Sequence, residues 1–436
     1  MRERAWDWAW IAVIGGILFF TNLGGPGLWD EDEPIYAACA REMIQRNDWV
    51  VPRYNGEMFP DKPPLMFWMM MSGFGLFGYT ELGARFLSAV AAVLAAWATY
   101  ELGRRLFSRK VAFWGTVMAM SNLLYVVSAR AATVDAALTL LTVGTMLAFV
   151  VAYGPVVGLR SDHVADDAQN DRETPADRPE TWAVWAMWAC MAVAILAKGP
   201  IGLLLPAAAI GLFLMIVGRT KRDEPVHGLW IWRALVVTAR VWDPRNFGKA
   251  FVRMQPWWAF PAVALFAVPW FVWVGVRTEG AWLREFFAMY NLRPFTQPIQ
   301  GHRGPIWYHV ASLLGGFFPW SVFIGLVFHD AIRRIARRDK QRDGLIFCLT
   351  WLGIWFVFWS ICSTKLPHYL LPAFPAVGLL TAAFFERWCE GTLPVRRWEV
   401  NTAMGITIVV GLGIMIAVPV AAAALGLPGL GWTGGL

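Results

Sequence analysis

The 436-residue chain is 57% hydrophobic and only 16% charged, with a mean hydropathy of +0.47, too apolar for a soluble protein to hide in one core, so its solvent is lipid. The net charge of +7 is no argument for nucleic acid, because basic residues cluster in alternate loops between apolar stretches, as the positive-inside rule describes. The five cysteines are scattered singly, without the spacing of a zinc site or a disulfide framework.

A span takes roughly 20 mainly apolar residues. Eleven are expected, near 8–24, 84–102, 111–128, 133–153, 182–198, 200–217, 257–276, 305–328, 344–362, 368–386 and 401–425. The expected class is an all-α polytopic membrane protein with an inner N-terminus and an outer C-terminus. Trp6, Trp8, Trp10, Trp257 and Trp320 at span ends suit the head-group boundary.

The outer loop 25–83 is much longer than a helix connection needs, and such loops carry function. Its first block, Asp32-Glu33-Pro34 through Gln45, has acids at the N-cap and Pro at the first helical position, so a surface helix is expected. A second block, Leu65 through Met71, is apolar all round yet barely half a span long, and suits the interface or a re-entrant turn. Residues 160–181 are polar and acidic and read as a disordered inner loop. Residues 219–255 alternate basic and bulky apolar positions, as an amphipathic inner segment does, and 277–305 is the second long outer loop.

Ionisable groups at outer span edges are the informative ones, since charge near lipid is costly unless paired, wet or functional. Asp32, with Glu33 beside it, opens the surface helix, and Asp135 opens the fourth span; either also serves as a helix N-terminal carboxylate. Lys62 stands in the rigid turn Asp61-Lys62-Pro63-Pro64, and Lys198, Lys365 and Arg293 lie in three further outer turns. Each cation suits a phosphate, and each also suits simple snorkelling or a loop ion pair. Acids opposed to cations on one membrane face suggest a carboxylate base facing a phosphate-bearing leaving group, the logic of sugar transfer from a lipid-linked donor.

The ordered string Gly27-Leu28-Trp29-Asp30-Glu31-Asp32-Glu33-Pro34-Ile35-Tyr36, then Asp61-Lys62-Pro63-Pro64, Arg130 to Asp135, Leu196-Ala197-Lys198-Gly199-Pro200, His302-Arg303-Gly304-Pro305 and Lys365-Leu366-Pro367-His368-Tyr369 resembles the superfamily of aminoarabinose transferases and dolichyl-phosphate-mannose protein mannosyltransferases. The resemblance implies a GT-C fold over residues 1–386, followed at 387–436 by a basic loop and last span without a soluble C-terminal domain. It implies a bacterial inner-membrane glycosyltransferase with its active site on the outer face. That enzyme would move a sugar with inversion from undecaprenyl phosphate to a lipid A-like lipid or a protein. By the same resemblance Asp32, Asp135 and Glu33 are the catalytic acids. Lys62, Arg293 and Tyr369 hold the lipid phosphate, with Lys365 and Lys198 as further donor-binding cations. Asp61 matches a position that binds a divalent metal in some members. Phe59, where many members carry Tyr, and Asn291, near where some carry His, depart from the pattern and weigh against a metal. A saccharide flippase or a non-catalytic polyprenyl-phosphate-binding protein is the alternative; the former calls for internal pseudo-symmetry, and no repeat is evident.

Overall fold

A computed structural model describes residues 2–29, 32–157, 159, 179–220, 239–293, 297–298, 301–393 and 396–424. Most of the expected inner loop 160–181 and residues 221–238 of the amphipathic segment lie outside this set. The described chain is helical apart from one two-stranded hairpin.

Seven helices among the described residues are long and apolar enough to span a membrane: Glu81–Leu106, Asp135–Gly154, Thr181–Lys198, Ile201–Gly218, Arg342–Ile361, Pro367–Cys389 and Trp398–Ala417. Three bent pairs raise the number to ten: Arg109–Met120 with Leu123–Arg130 at 65°, Pro256–Phe266 with Val268–Arg277 at 45°, and Tyr308–Gly316 with Trp320–Ala336 at 118°. The expected spans 111–128, 257–276 and 305–328 are therefore broken, the last turning back on itself. The expected first span corresponds to α1 (Arg2–Gly15), which continues as a π-helical stretch over Gly16–Phe20. Apolar side chains such as Val409, Ile416 and Phe260 stand exposed on the outer faces of these helices, where lipid replaces protein contacts. The chain is a multi-pass membrane protein.

Small residues set the closest helix approaches. A side-chain carbon on Gly378 would meet the Gly115 carbonyl at 2.4 Å, and one on Gly115 would meet Leu379 Cα at 2.9 Å, so the helices Arg109–Met120 and Phe374–Cys389 meet almost backbone to backbone. At one end of the bundle, Asp7 accepts from Tyr100 and Arg109, and Glu101 accepts from Arg4 and Arg105, fastening α1 to its neighbours.

The opposite end carries the long loop. Its α2 (Asp32–Gln45) and α3 (Leu65–Phe77) match the two expected blocks, and both bury apolar faces in one cluster with Ala132 and Ala197. Between them β1 (Arg53–Tyr54) pairs antiparallel with β2 (Glu57–Met58). The joining Asn55 and Gly56 both have positive φ, 53° and 82°, the demand that makes Asn-Gly the favoured two-residue turn. Their amides donate to Glu42 of α2. Indole groups fix the loop from outside: Trp270 donates to the Val50 carbonyl at 3.1 Å and Trp282 to that of Phe59 at 3.3 Å.

Candidate active site

At the loop-bearing end, α4 (Asp135–Val157) begins and α5 (Thr181–Lys198) ends, so Asp135 and Lys198 come level. Their ion pair measures 2.8 Å, with Asp135 buried and Lys198 partly so. The Lys198 ammonium lies 4.7 Å from the centre of the Tyr369 ring, and His368 Nε2 is 3.9 Å from the other Asp135 oxygen. A second pair stands beside the first: Lys62 Nζ lies 2.7 Å from Asp61 Oδ2, which also accepts from the Tyr36 hydroxyl at 3.2 Å. Asp61, Lys62, Lys198, Tyr290, Asn291 and Tyr369 line one cavity of ≈ 70 Å³, with Phe286 and Trp359 as apolar walls.

Asp32 opens α2 over this cluster. Burial pushes its carboxyl above the ordinary value, the facing Lys62 ammonium pulls it down, and Asp61 and Asp135 push it up again. Lys62 responds in the complementary sense: burial alone would lower it, yet Asp61, Asp32 and Asp135 hold it above its ordinary value. Tyr36 is raised well above its ordinary value by burial and by the same acids, so it remains a donor. The cluster thus holds fixed ammonium groups and a carboxyl whose affinity for a proton is raised by burial, beside a partly dry cavity, which suits it to bind a phosphate and to accept a proton.

The structure brings Asp32, Asp61, Lys62, Asp135, Lys198 and Tyr369 together but not the remaining expected residues. Glu33, expected among the catalytic acids, does not line the cavity and is fully buried, with Arg85 Nη2 at 2.6 Å, Arg85 Nε at 2.9 Å, and the amides of Trp29 and Ala132 all donating to it. Lys365 is buried and donates to the carbonyls of Trp359 and Ser360 at the end of the helix Arg342–Ile361, a cation on a helix C-terminus; burial lowers its pKa. Arg293 is exposed beyond the π-helical stretch Phe286–Leu292, with Gln297 and Met289 as neighbours, and does not line the cavity. Asp61 is engaged by Lys62 and Tyr36, and among the described residues no three His, Cys, Asp or Glu side chains converge to hold a metal ion; the donor set does not fit one.

Sequence reasoning missed Arg85, Tyr36, Tyr290 and His368. Arg85 carried a usable signal, being a guanidinium early in an apolar span, where charge calls for a partner. Tyr290 carried none, since its place follows from how the segment after Gly280 folds back.

The model of the family "Dolichyl-phosphate-mannose-protein mannosyltransferase" matches residues 61–154. The chain is 27% identical over 97% of its length to the undecaprenyl phosphate-alpha-4-amino-4-deoxy-L-arabinose arabinosyl transferase of Edwardsiella ictaluri, and 26% identical over 98% to that of Yersinia enterocolitica. It spans 66% of each relative's own length. Among solved structures, ArnT from Cupriavidus metallidurans bound to undecaprenyl phosphate superposes with a TM-score of 0.71 at 24% identity, covering 95% of this chain and 65% of that one. The oligosaccharyltransferase of Archaeoglobus fulgidus superposes with a TM-score of 0.53 at 15% identity, over 92% of this chain and 54% of its own. The chain has the GT-C fold and is similar, along nearly its whole length, to the aminoarabinose transferases of the superfamily that its loop motifs resemble.

Proposed function

We propose that this protein is a glycosyltransferase that takes a sugar from a polyprenyl phosphate donor and delivers it, with inversion, to an envelope lipid or protein on the outer face of the bacterial plasma membrane. The observation that carries the reading is the pair of carboxylate-bound ammonium groups, Asp61–Lys62 and Asp135–Lys198, on one cavity overlooked by Asp32. The arabinosyl transferases' names and the undecaprenyl phosphate bound in the Cupriavidus structure support the donor class. The basic residues Arg104, Arg105 and Arg109 at the far end of the bundle support an outer site.

In the proposed reaction an acceptor hydroxyl or amine attacks the anomeric carbon from the face opposite the phosphate. The new bond forms as the anomeric carbon–oxygen bond breaks, its electron pair leaving on the polyprenyl phosphate. The acceptor's proton passes to Asp32, whose burial makes it a stronger base than an ordinary carboxylate. Lys62 and Lys198 face the charge gathering on the leaving phosphate, a fixed electrostatic device often worth about 3 kcal/mol of barrier per donor. Tyr369 completes the cavity wall and the buried Tyr36 hydroxyl holds Asp61 in place, and no step is assigned to a metal.

The test is transfer of label from undecaprenyl-phosphate sugars to extracted envelope lipids and proteins by the purified chain in nanodiscs. The wild type transfers label; Asp32→Asn and Lys62→Ala each lose at least about 100-fold in kcat/KM while remaining folded. A wild type that binds undecaprenyl phosphate yet transfers nothing from any donor would overturn the proposal.

A further inference from the structure

The Glu33–Arg85 pair is the most heavily bonded buried charge pair near the site, and every one of its partners belongs to a segment that ends at a reacting acid. Arg85 lies one turn inside the helix Glu81–Leu106 and is 2% exposed. Its guanidinium donates twice to Glu33 and also to the carbonyls of Leu23, Pro26 and Gly27, the strand of loop that leads into α2. Glu33 accepts from the amide of Trp29 on that strand and from the amide of Ala132, in the turn just before Asp135. One turn further along the Arg85 helix, Ser88 donates to the carbonyl of Thr133 at 3.4 Å.

We propose that Arg85 and Glu33 form a positioning hub that sets the separation of the Asp32 and Asp135 carboxylates, a role that rests on the glycosyltransferase reading. Glu33 is the neighbour of Asp32 in sequence, and Ala132 stands three residues before Asp135 in the non-helical turn that leads into its helix, so the single Glu33 carboxylate spans the two segments. Only the planar fork of an arginine meets a carboxylate in parallel while still reaching three carbonyls; a lysine supplies the charge without the fork. Because Asp32 and Asp135 act only when both face the same cavity, a slip of about 1 Å between the segments costs turnover on the order of 100-fold with little effect on the donor phosphate, which is held by Lys62 and Lys198.

The experiment compares full-length wild type, Glu33→Gln, Arg85→Lys and Arg85→Met in nanodiscs by two readouts. The first is kcat and KM for the undecaprenyl-phosphate sugar. The second, independent of turnover, is the pH dependence of Asp32 labelling by a water-soluble carbodiimide, read by mass spectrometry, with Lys62, Asp61, Tyr36 and Asp135 unchanged around it. Glu33→Gln and Arg85→Met are expected to lower kcat about 100-fold with KM within about threefold, and to shift the labelling inflexion of Asp32 toward that of a solvated carboxylate. Arg85→Lys falls between wild type and these two variants and keeps the test open where Arg85→Met does not fold. Folded variants with wild-type kcat, or with raised KM and unchanged kcat, overturn the hub. A wild type without turnover whose Asp32 labelling still shifts in the variants retires the transferase reading and leaves the hub standing; turnover with unchanged labelling does the reverse.

Discussion

Burial and a facing ammonium pull the Asp32 carboxyl in opposite directions, and burial wins: its pKa stands above the ordinary 3.8. A carboxyl whose pKa is higher in the folded than in the unfolded chain adds stability below the unfolded value and loses it as pH rises through the folded one. Asp32 therefore costs stability at neutral pH while serving turnover there. Asp32→Asn is expected to melt higher than wild type at pH 7, with the gap closing as the buffer is made acidic, and the wild-type rate should fall on the acid side with an inflexion above 3.8. Thermal scans and a pH–rate profile check both; a lower melting point at pH 7 contradicts the assignment. Substituting Lys198 is expected to destabilise the protein instead. Lys198→Met leaves Asp135 buried without its ion partner, at a cost of about 3–5 kcal/mol, and pairing it with Asp135→Asn should recover most of that without recovering transfer, as denaturant or thermal unfolding would read. Lys62, Asp135 and Lys198 were legible in the sequence because each marks a charge at a span edge, whereas Asp61 was singled out only by the resemblance, as a metal position, and not as the partner of Lys62. Glu33 and Asp32 were not separable there, since neighbours on a helix point about 100° apart and only packing decides which faces the cavity. That Arg293 and Lys365 do not line the cavity was illegible for a related reason: a cation in an outer turn reads alike whether it faces a cavity, solvent or the end of its own helix.

At the scale of the element, α2 and the short apolar α3 were legible from their caps and composition, and the hairpin hid in an Asn-Gly pair. The three bent spans were not, because hydropathy sums over a window and is blind to a turn within it. The Gly115–Gly378 crossing was equally invisible, as it joins helices far apart in sequence. It carries its own prediction: a valine at Gly378 must push against the Gly115 carbonyl, which the backbone cannot yield. Gly378→Val is expected to destabilise the protein by about 1–3 kcal/mol or more, seen as a lower thermal midpoint in detergent, whereas Gly405→Val, where nothing lies within 4 Å, should be near neutral.

Across the whole molecule, charge is sorted by end. The end bearing Asp32 and Asp135 holds paired acids and cations in a cavity; the far end holds Arg104, Arg105 and Arg109 in ion pairs with Glu101, Glu3 and Asp7. Cys389, exposed at the far end of the helix that begins beside Tyr369, reports which side is which. A membrane-impermeant maleimide should label it in inside-out vesicles and leave it untouched in intact cells; the reverse pattern would turn the protein over.

The Asp135–Lys198 pair also bears on how the chain is made. Its partners are 63 residues apart, so during synthesis at about 5–20 residues per second the aspartate arrives several seconds before the lysine exists. Through that interval the nascent helix must hold its acid at the membrane boundary with water or the insertion machinery for company, and chains arrested before residue 198 are the ones a quality-control protease should find first.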